Sequence, residues 1–517
     1  MAMLLVLSFS NLGWGQGRSD IPATSPPLDR IVPLEVTVNG EQSGTWPFVE
    51  RQGQLFASRE ALDEWRVRLT AGTEPIVARG VEYWPLAAVP GFSAKPNFAK
   101  QSVELSFSPD AFTSTQVSAA RIDRPRLTPV LPSAFLNYEL NYTRSAVDGA
   151  SSGKDLGALV EVGGSNELGL LTSSYVGRQV SGGGTSESQW TRLESSFTRN
   201  FPERQTTLRL GDATTRIGAW GRNVYFGGVQ YGTNYALTPG FLTQPIPIVR
   251  GVSAAPSTVE LYVNGVLRQV TQVPTGPFAI DNAAALTGGG EARLVVRDIL
   301  GREVVITEPF FTSSSLLARG LADWSVEGGA LRQDLGVTSA HYGPGFTSGT
   351  WRYGFTDGFT GEGRYEVSRS TQAAGGSVVA LLPAQALARL AVVGSNDAVT
   401  GAGRQWLLGL ERQWLKTVLQ GQVQASSKGF RSLGQSQPSQ INKAQAAFNA
   451  THTTSAWGNF GFAAVRLLPW EGAPVSTLSL NHTIRLFGAS TLSSSITRAW
   501  GLGAGTSIGF SLQVPLE

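Results

Sequence analysis

The chain has 517 residues with no Cys, three His and 13 Trp, and its 61 Gly amount to roughly 12% against the ~7% usual for soluble proteins. Charged residues are 15%, well below the usual ~25%, while the mean hydropathy of -0.04 is far too polar for a bundle of membrane-spanning helices. A net charge of +3 gives no field for nucleic acid, 41% hydrophobic residues exclude a disordered chain, and the lack of Cys excludes disulfides and thiolate chemistry.

Residues 1–15 read as a signal peptide: the apolar run from Leu4 to Phe9 precedes Gly13-Trp14-Gly15, a small-x-small pattern before Gln16, although no Lys or Arg comes before Arg18. Residues 16–128 read as a small α+β domain. Within it, Leu34 to Val38 alternates into the turn Asn39-Gly40, and Ser58 to Trp65 reads as a helix with Ser58 as N-cap. Leu62, Trp65 and Leu69 mark the buried face of that helix. A Pro-punctuated tail from Gln16 to Pro33 precedes it, and Arg121 to Pro129 reads as a linker.

Alternation with period two then dominates. Over 129–244 the pattern is set by Leu136, Tyr138, Leu140 and Tyr142 on one face against Asn137, Glu139, Asn141 and Thr143 on the other. It resumes over 310–517, where Ile508, Phe510, Leu512 and Val514 oppose Ser507, Gly509, Ser511 and Gln513. Strand and turn recur with the rhythm of a transmembrane β-barrel, apolar toward lipid and polar toward an aqueous lumen. Trp190, Trp351, Trp406, Trp414 and Trp500 suit an interfacial girdle. The apolar run from Val378 to Val393 contains Pro383, Gln385 and Arg389, which fit two strands and a turn rather than a membrane helix.

One insert interrupts the series, at 245–309. Thr258 to Val263 leads through Asn264-Gly265 into Val266 to Val270, and Arg293 to Arg297 leads through 298–301 into Arg302 to Ile306. Two hairpins bounded by Pro make a small β-sandwich, and a sandwich inserted within a barrel suggests a gate. About six strands precede it and about ten to twelve follow it.

Enzymatic readings find little support. Gly505-Thr-Ser507-Ile-Gly509 matches G-x-S-x-G, but Ser507 lies in an alternating strand and not on a strand-turn-helix elbow. His341, His452 and His482 are far apart in sequence and give no local metal motif. The expectation is a protein without catalytic residues, cofactor or metal.

A set of motifs, in this order and spacing, resembles the outer-membrane ushers of chaperone-usher pilus and fimbria biogenesis. They are Leu208-Arg-Leu-Gly-Asp212, Val224-Tyr-Phe-Gly-Gly-Val-Gln230, Pro239-Gly-Phe241, Val259-Glu-Leu-Tyr-Val-Asn-Gly265, Val273-Pro-Thr-Gly-Pro-Phe278, Arg297-Asp-Ile-Leu-Gly-Arg302 and Leu317-Ala-Arg-Gly-Leu321. Leu34 to Gly40 with the Trp65 helix is most similar to the archaic, spore-coat-U-like branch. The resemblance implies an all-β-dominated fold: a transmembrane β-barrel, in the family of about 24 strands, with an inserted β-sandwich plug at 245–309 and an α+β periplasmic domain at 16–128. It implies residence in the outer membrane of a Gram-negative bacterium. It also implies that the N-terminal domain captures periplasmic chaperones carrying pilin-like subunits, which pass through a plug-gated pore. Neither nucleic acid nor cofactor is implied, and a dimer is compatible. The 310–517 stretch ends before the family's last strands and C-terminal domains, so a truncated product is expected over a short usher.

Site residues are expected in two places. Ile21, Leu28 and Ile31 are the apolar anchors of a chaperone-binding tail, although the tail lacks a Phe. The gate and its hinges are expected at Pro245, Pro247, Gly251, Pro274, Gly276, Pro277, Phe278, Glu308 and Pro309, the irregular segments at the edges of the insert. The alternative reading is a porin or plugged receptor for solute uptake. A TonB-linked receptor would carry its plug ahead of the first barrel strand, and a simple porin would lack both the insert and the N-terminal domain.

Overall fold

A computed structural model describes residues 29–118, 127–145, 153–178, 189–246, 248–281, 288–299, 301–435, 441–486, 490–501 and 503–514. The N-terminal domain contains β1 (Arg30–Val38), β2 (Glu41–Arg51), β3 (Gln54–Ser58), α1 (Arg59–Glu64), β4 (Ile76–Ala78), β5 (Val81–Pro85), β6 (Ser93–Asn97), β7 (Ser102–Ser106) and β8 (Thr115–Ser118). All but β8 form one sheet of order β4-β5-β3-β2-β1-β7-β6. The helix begins as the sequence requires: the Ser58 hydroxyl accepts from the Ala61 N–H, satisfying a donor that the helix itself leaves free. Its buried face sets Leu62 and Trp65 against Phe48, with the Trp65 and Phe48 rings stacked at 5.8 Å.

The next strands are β9 (Ser133–Ser145), β10 (Gly153–Asn166), β11 (Gly169–Arg178), β12 (Gln189–Phe201), β13 (Thr206–Thr214) and β14 (Tyr225–Thr233). The insert then supplies β15 (Ile248–Ser253), β16 (Ser257–Val263), β17 (Val266–Val273), β18 (Gly276–Asp281), β19 (Gly288–Asp298) and β20 (Glu303–Thr312). Twelve more follow: β21 (Ala322–Arg332), β22 (Tyr342–Thr356), β23 (Phe359–Ser368), β24 (Thr371–Leu382), β25 (Ala386–Asp397), β26 (Gly401–Gln413), β27 (Thr417–Ser426), β28 (Asn442–Thr454), β29 (Gly458–Pro469), β30 (Val475–Arg485), β31 (Thr491–Trp500) and β32 (Gly505–Gln513).

Strands β9–β14 and β21–β32 make one antiparallel sheet, in which β14 pairs directly with β21 across the insert. Six strands before the insert and twelve after it agree with the count expected from the alternation. The sheet order curls round to bring β32 next to β9. Among the described residues no extended register zips that seam, and Tyr138 on β9 and Phe510 on β32 are 72% and 75% exposed. The two faces differ as a bilayer demands: Val326, Trp351, Tyr365, Val392 and Leu408 are exposed on the outside, while Glu327, Ser348, Arg364 and Glu366 face in.

The insert is a two-layer sandwich. Sheet β17-β16-β19-β20 packs on β15-β18-β8 around Val259, Leu261, Phe278, Ile280 and Leu294. The strand β8 thus belongs to the sandwich although it comes from the N-terminal domain. Val117 packs into the sandwich core.

Candidate functional site

Two assemblies could regulate passage: loops folded into the lumen, and the dock between the insert and the N-terminal domain. Loop 215–224, between β13 and β14, lies against the inner wall. The Arg216 N–H donates to Glu327 Oε1 at 3.0 Å and the Ala219 N–H to Glu362 Oε1 at 2.6 Å, while Arg364 Nη1 donates to the Arg216 carbonyl at 2.8 Å. Gly221, at φ +87°, sits where a Cβ would come 2.8 Å from Glu366 Oε1, so only Gly lets the loop lie this close to the wall. Trp220 is 4% exposed and clusters with Ala373, Ala391, Val393, Leu407 and Phe430.

Phe430 belongs to a second loop, 427–435, between β27 and β28. There the Leu433 N–H donates to Glu366 Oε2 at 2.8 Å and the Arg431 N–H to Ser395 Oγ at 3.1 Å. Leu433 packs with Ala213, Phe226 and Val224. Glu366 is therefore the common clasp, accepting from Arg364 Nε and Nη2 at 3.1 and 2.8 Å while also holding Leu433. Arg364 and Glu366 are 3% and 2% exposed. A buried pair so completely hydrogen-bonded gains back its desolvation cost, and a partner left alone would not.

At the opposite rim the insert docks on the N-terminal domain. Strand β8 runs parallel to β18 with Thr115, Gln116, Val117 and Ser118 opposite Phe278, Ala279, Ile280 and Asp281. Arg66, in the left-handed region at φ +59°, donates to Thr115 Oγ1 and, at 2.7 Å, to the Thr275 carbonyl, with burial pushing its guanidinium pKa down. Gly276, at φ +117°, lies where a Cβ would come 2.6 Å from Phe112 Cβ. Asn39 Nδ2 reaches the Phe107 carbonyl at 2.9 Å. The principal contact of the insert with the barrel wall is β19 against β26.

Of the expected anchors, Ile21 and Leu28 lie outside the described residues. Ile31 is placed in β1 and packs on the Val49, Phe56 and Tyr83 cluster; the alternation that starts at Arg30 draws it into the sheet, so it is a strand residue and not part of the tail. Of the expected gate residues, Gly276, Pro277 and Phe278 form the start of β18 at the dock, and Pro274 precedes it. Gly251 is in β15 with no room for a side chain beside the Phe278 ring. Pro245 is buried ahead of β15, and Pro247 lies outside the described residues. Glu308 and Pro309 require correction. They are inside β20, paired with Ala292 and Glu291, because the alternation from Glu303 carries the strand on to Thr312. The chain leaves the insert at 313–321, where Ser315 Oγ accepts from Arg389 Nη2 at 2.9 Å and the Leu317 N–H donates to Thr360 Oγ1 at 2.8 Å.

Ser507 pairs with Thr497 in the middle of β32. His341 meets Asp334 on its own, while His452, bonded to Thr417, and His482, stacked on Phe460, flank the Phe460 position on either side in neighbouring strands. Among the described residues no group of three or more acidic or His side chains could hold a metal. Sequence reasoning missed Trp220, Phe430, Arg364 and Glu366. The one available signal was a Trp between Gly218 and Gly221 in a turn otherwise suited to water.

Strands with an apolar outside and a polar lumen, interrupted by an inserted sandwich, define an outer-membrane β-barrel. A family model described as outer membrane usher protein matches residues 170–389. The outer membrane usher protein FimC of Bordetella pertussis is 28% identical over 238 residues, 46% of this chain and 26% of the relative. The F1 capsule-anchoring protein of Yersinia pestis is 23% identical over 307 residues, 57% of this chain and 34% of that one. The outer membrane usher protein AfaC of Escherichia coli is 26% identical over 350 residues, 61% and 39%. The chain therefore spans about a quarter to two fifths of the length of these relatives. In fold it is similar to a chain of the cryo-EM structure of the E. coli P pilus tip assembly intermediate PapC-PapD-PapK-PapG, with a TM-score of 0.56 at 18% identity, covering 94% of this chain and 64% of that chain. The match to outer-membrane ushers thus lies in residues 170–389, the last of the strands before the insert, the insert itself and the first strands after it.

Proposed function

We propose that this protein recruits periplasmic chaperone-subunit complexes through its N-terminal domain, residues 16–128, and conducts pilus or fimbrial subunits through the barrel, with the insert as its plug. The observation that carries this reading is β8, a strand of the recruiting domain that completes the sheet of the plug. A complex that binds the N-terminal domain thereby acts on the gate without an intermediary. No chemistry is required of the wall. Subunit assembly by strand exchange is driven by the tighter packing of the incoming strand, and the usher supplies position and passage.

Within this reading Ile21 and Leu28 are anchors that order on binding the chaperone, and Pro245 with Pro247 forms the hinge into the plug. The test is purified protein in liposomes, offered chaperone-subunit complexes from the source bacterium, with and without residues 16–128. Binding and subunit translocation by the intact chain, both abolished by the deletion, are expected. Passage of small solutes alone, unaffected by the deletion, would refute the proposal and favour a porin.

A further inference from the structure

The inner wall of the barrel has two unlike sectors. Along β21–β26 it is charged: Asp323, Glu327, Arg352, Glu362, Arg364 and Glu366 face in, and the two inward loops cover most of them. The register carries the same face onward from Gly409 to Gln422 and Ala447, and from Asn449 through Ala463, Ser479 and Thr497 to Ser507. Between the rims, no inward position on β27–β32 is charged. Arg485 at one rim and Lys443, over the Trp470 ring, at the other bracket a surface dominated by Gln, Asn, Ser, Thr and small residues. Among the described residues no loop covers this sector as 215–224 and 427–435 cover the other, and between the rims its inward side chains are half-buried or exposed.

We propose that the β27–β32 sector is the surface along which the passenger moves, and that the partner it fits is a folded protein domain with a polar, charge-bearing exterior. This rests on the reading of the protein as a subunit conduit. Hydroxyl and amide groups exchange their hydrogen bonds with water at little net cost, so a moving surface is wetted and released at every step. A fixed charge on the wall would instead meet opposite charges on the passenger in a confined, partly desolvated space and hold them. Apolar side chains that could trap the passenger are also kept aside. Leu480, Ile496, Ile508 and Phe510 point outward to lipid, the inward Val465, Leu467 and Val475 sit together toward the Lys443 rim, and the inward Val418 lies at the opposite rim. The charged sector plays a different part, because its ions are engaged in clasping the loops.

The experiment has two arms, and both use the full chain, whose lack of native Cys makes single-cysteine labelling unambiguous. In the first, Ser479→Cys, Asn481→Cys and Ser495→Cys are compared in liposomes with Ser348→Cys and Ser377→Cys, whose parent side chains are buried beneath the loop-covered sector. The probes are a cationic and an anionic methanethiosulfonate. The first three should react more than about tenfold faster than the other two, with a ratio between the reagents like that of free cysteine, as expected for a wall with no local field. Slower labelling at Ser479→Cys, Asn481→Cys and Ser495→Cys, or a ratio skewed more than about tenfold, overturns the proposal.

In the second arm, the triple replacement Gln422→Lys, Ser479→Lys and Ser495→Lys is compared with Gln422→Asn, Ser479→Thr and Ser495→Thr. The lysines should slow transport of chaperone-delivered subunits at least about tenfold, with recovery at high salt, and the neutral set should not. Equal transport by the two sets overturns the proposal. Failure of the unaltered chain to transport any subunit refutes the conduit reading itself, and the labelling arm then decides whether this sector is the open wall.

Discussion

Replacing Glu366 with Ala should unfasten both inward loops at once. The carboxylate is 2% exposed and accepts two bonds from Arg364 and one from the Leu433 N–H. Its removal strands the Arg364 guanidinium, which keeps only the Arg216 carbonyl at 2.8 Å and Thr350 Oγ1 at 2.6 Å. An uncompensated buried charge costs about 3–5 kcal/mol. Against this the loops hold by burial of Trp220, Phe430 and Leu433, each worth about 1.5–3 kcal/mol. The strain is relieved if the loops leave and Arg364 meets water. A bias of about 3 kcal/mol multiplies the open population by about 150. Single-channel recording in planar bilayers should show frequent large-conductance openings for Glu366→Ala, with the heat-shifted band of a folded barrel retained on gels. The double variant Glu366→Ala with Arg364→Leu removes the stranded charge and should return the channel toward its closed behaviour. If the single variant opens no more often than the parent, or the double variant opens as often as the single one, Glu366 is not the clasp.

Three further outcomes are expected. Val117→Asp places a carboxylate in the sandwich core, where Val117 packs, and should release the insert from the N-terminal domain; protease cleavage between 119 and 132 should accelerate by more than about tenfold, and an unchanged rate would count against the dock. Gly276→Val adds a side chain where Phe112 already stands, in a left-handed backbone that Val avoids, so it should weaken the same dock while barrel heat-modifiability is unaltered. Asp29 is hydrogen-bonded to Arg51 at 2.6 and 2.7 Å, and that bond holds its carboxyl below the usual carboxylate value. A lowered folded pKa contributes stability above the unfolded value near 3.8, lost as pH falls through the folded one. Acidification below about pH 4 should therefore loosen the start of β1 by NMR, and Arg51→Ala should abolish that dependence.

The barrel was legible because a lipid-facing strand has to alternate, and Leu136, Tyr138, Leu140 and Tyr142 do so without interruption. The helix at Ser58 was legible because its cap is local, and the Asn264-Gly265 hairpin because two residues with positive φ, +51° and +80°, make that turn. Long-range pairing has no such signature. Nothing within Thr115 to Ser118 tells that its partner is Phe278 to Asp281, so the stretch read only as part of the α+β domain at 16–128. The exit hinge was misplaced for a related reason: Pro309 looked like punctuation, yet the strand continues through it to Thr312. The loops 215–224 and 427–435 escaped notice because their fold depends on Glu327, Glu362 and Glu366, brought to them only when the sheet curls.

The parallel pair of β8 and β18 also dictates an order of events during synthesis. Thr115 is made long before its partner Phe278, and the first six barrel strands lie between them. The third strand of the small sheet must wait unpaired while those six are laid down, and contacts of such sequence separation form late because loop closure has to precede them. Until then the newborn insert has an open sheet edge and an unfilled place for Val117 in its core. A chain interrupted before Asp281 would leave that strand exposed to any passing edge, so the same pairing that ties the insert to the N-terminal domain also reports whether the protein has been built to its middle.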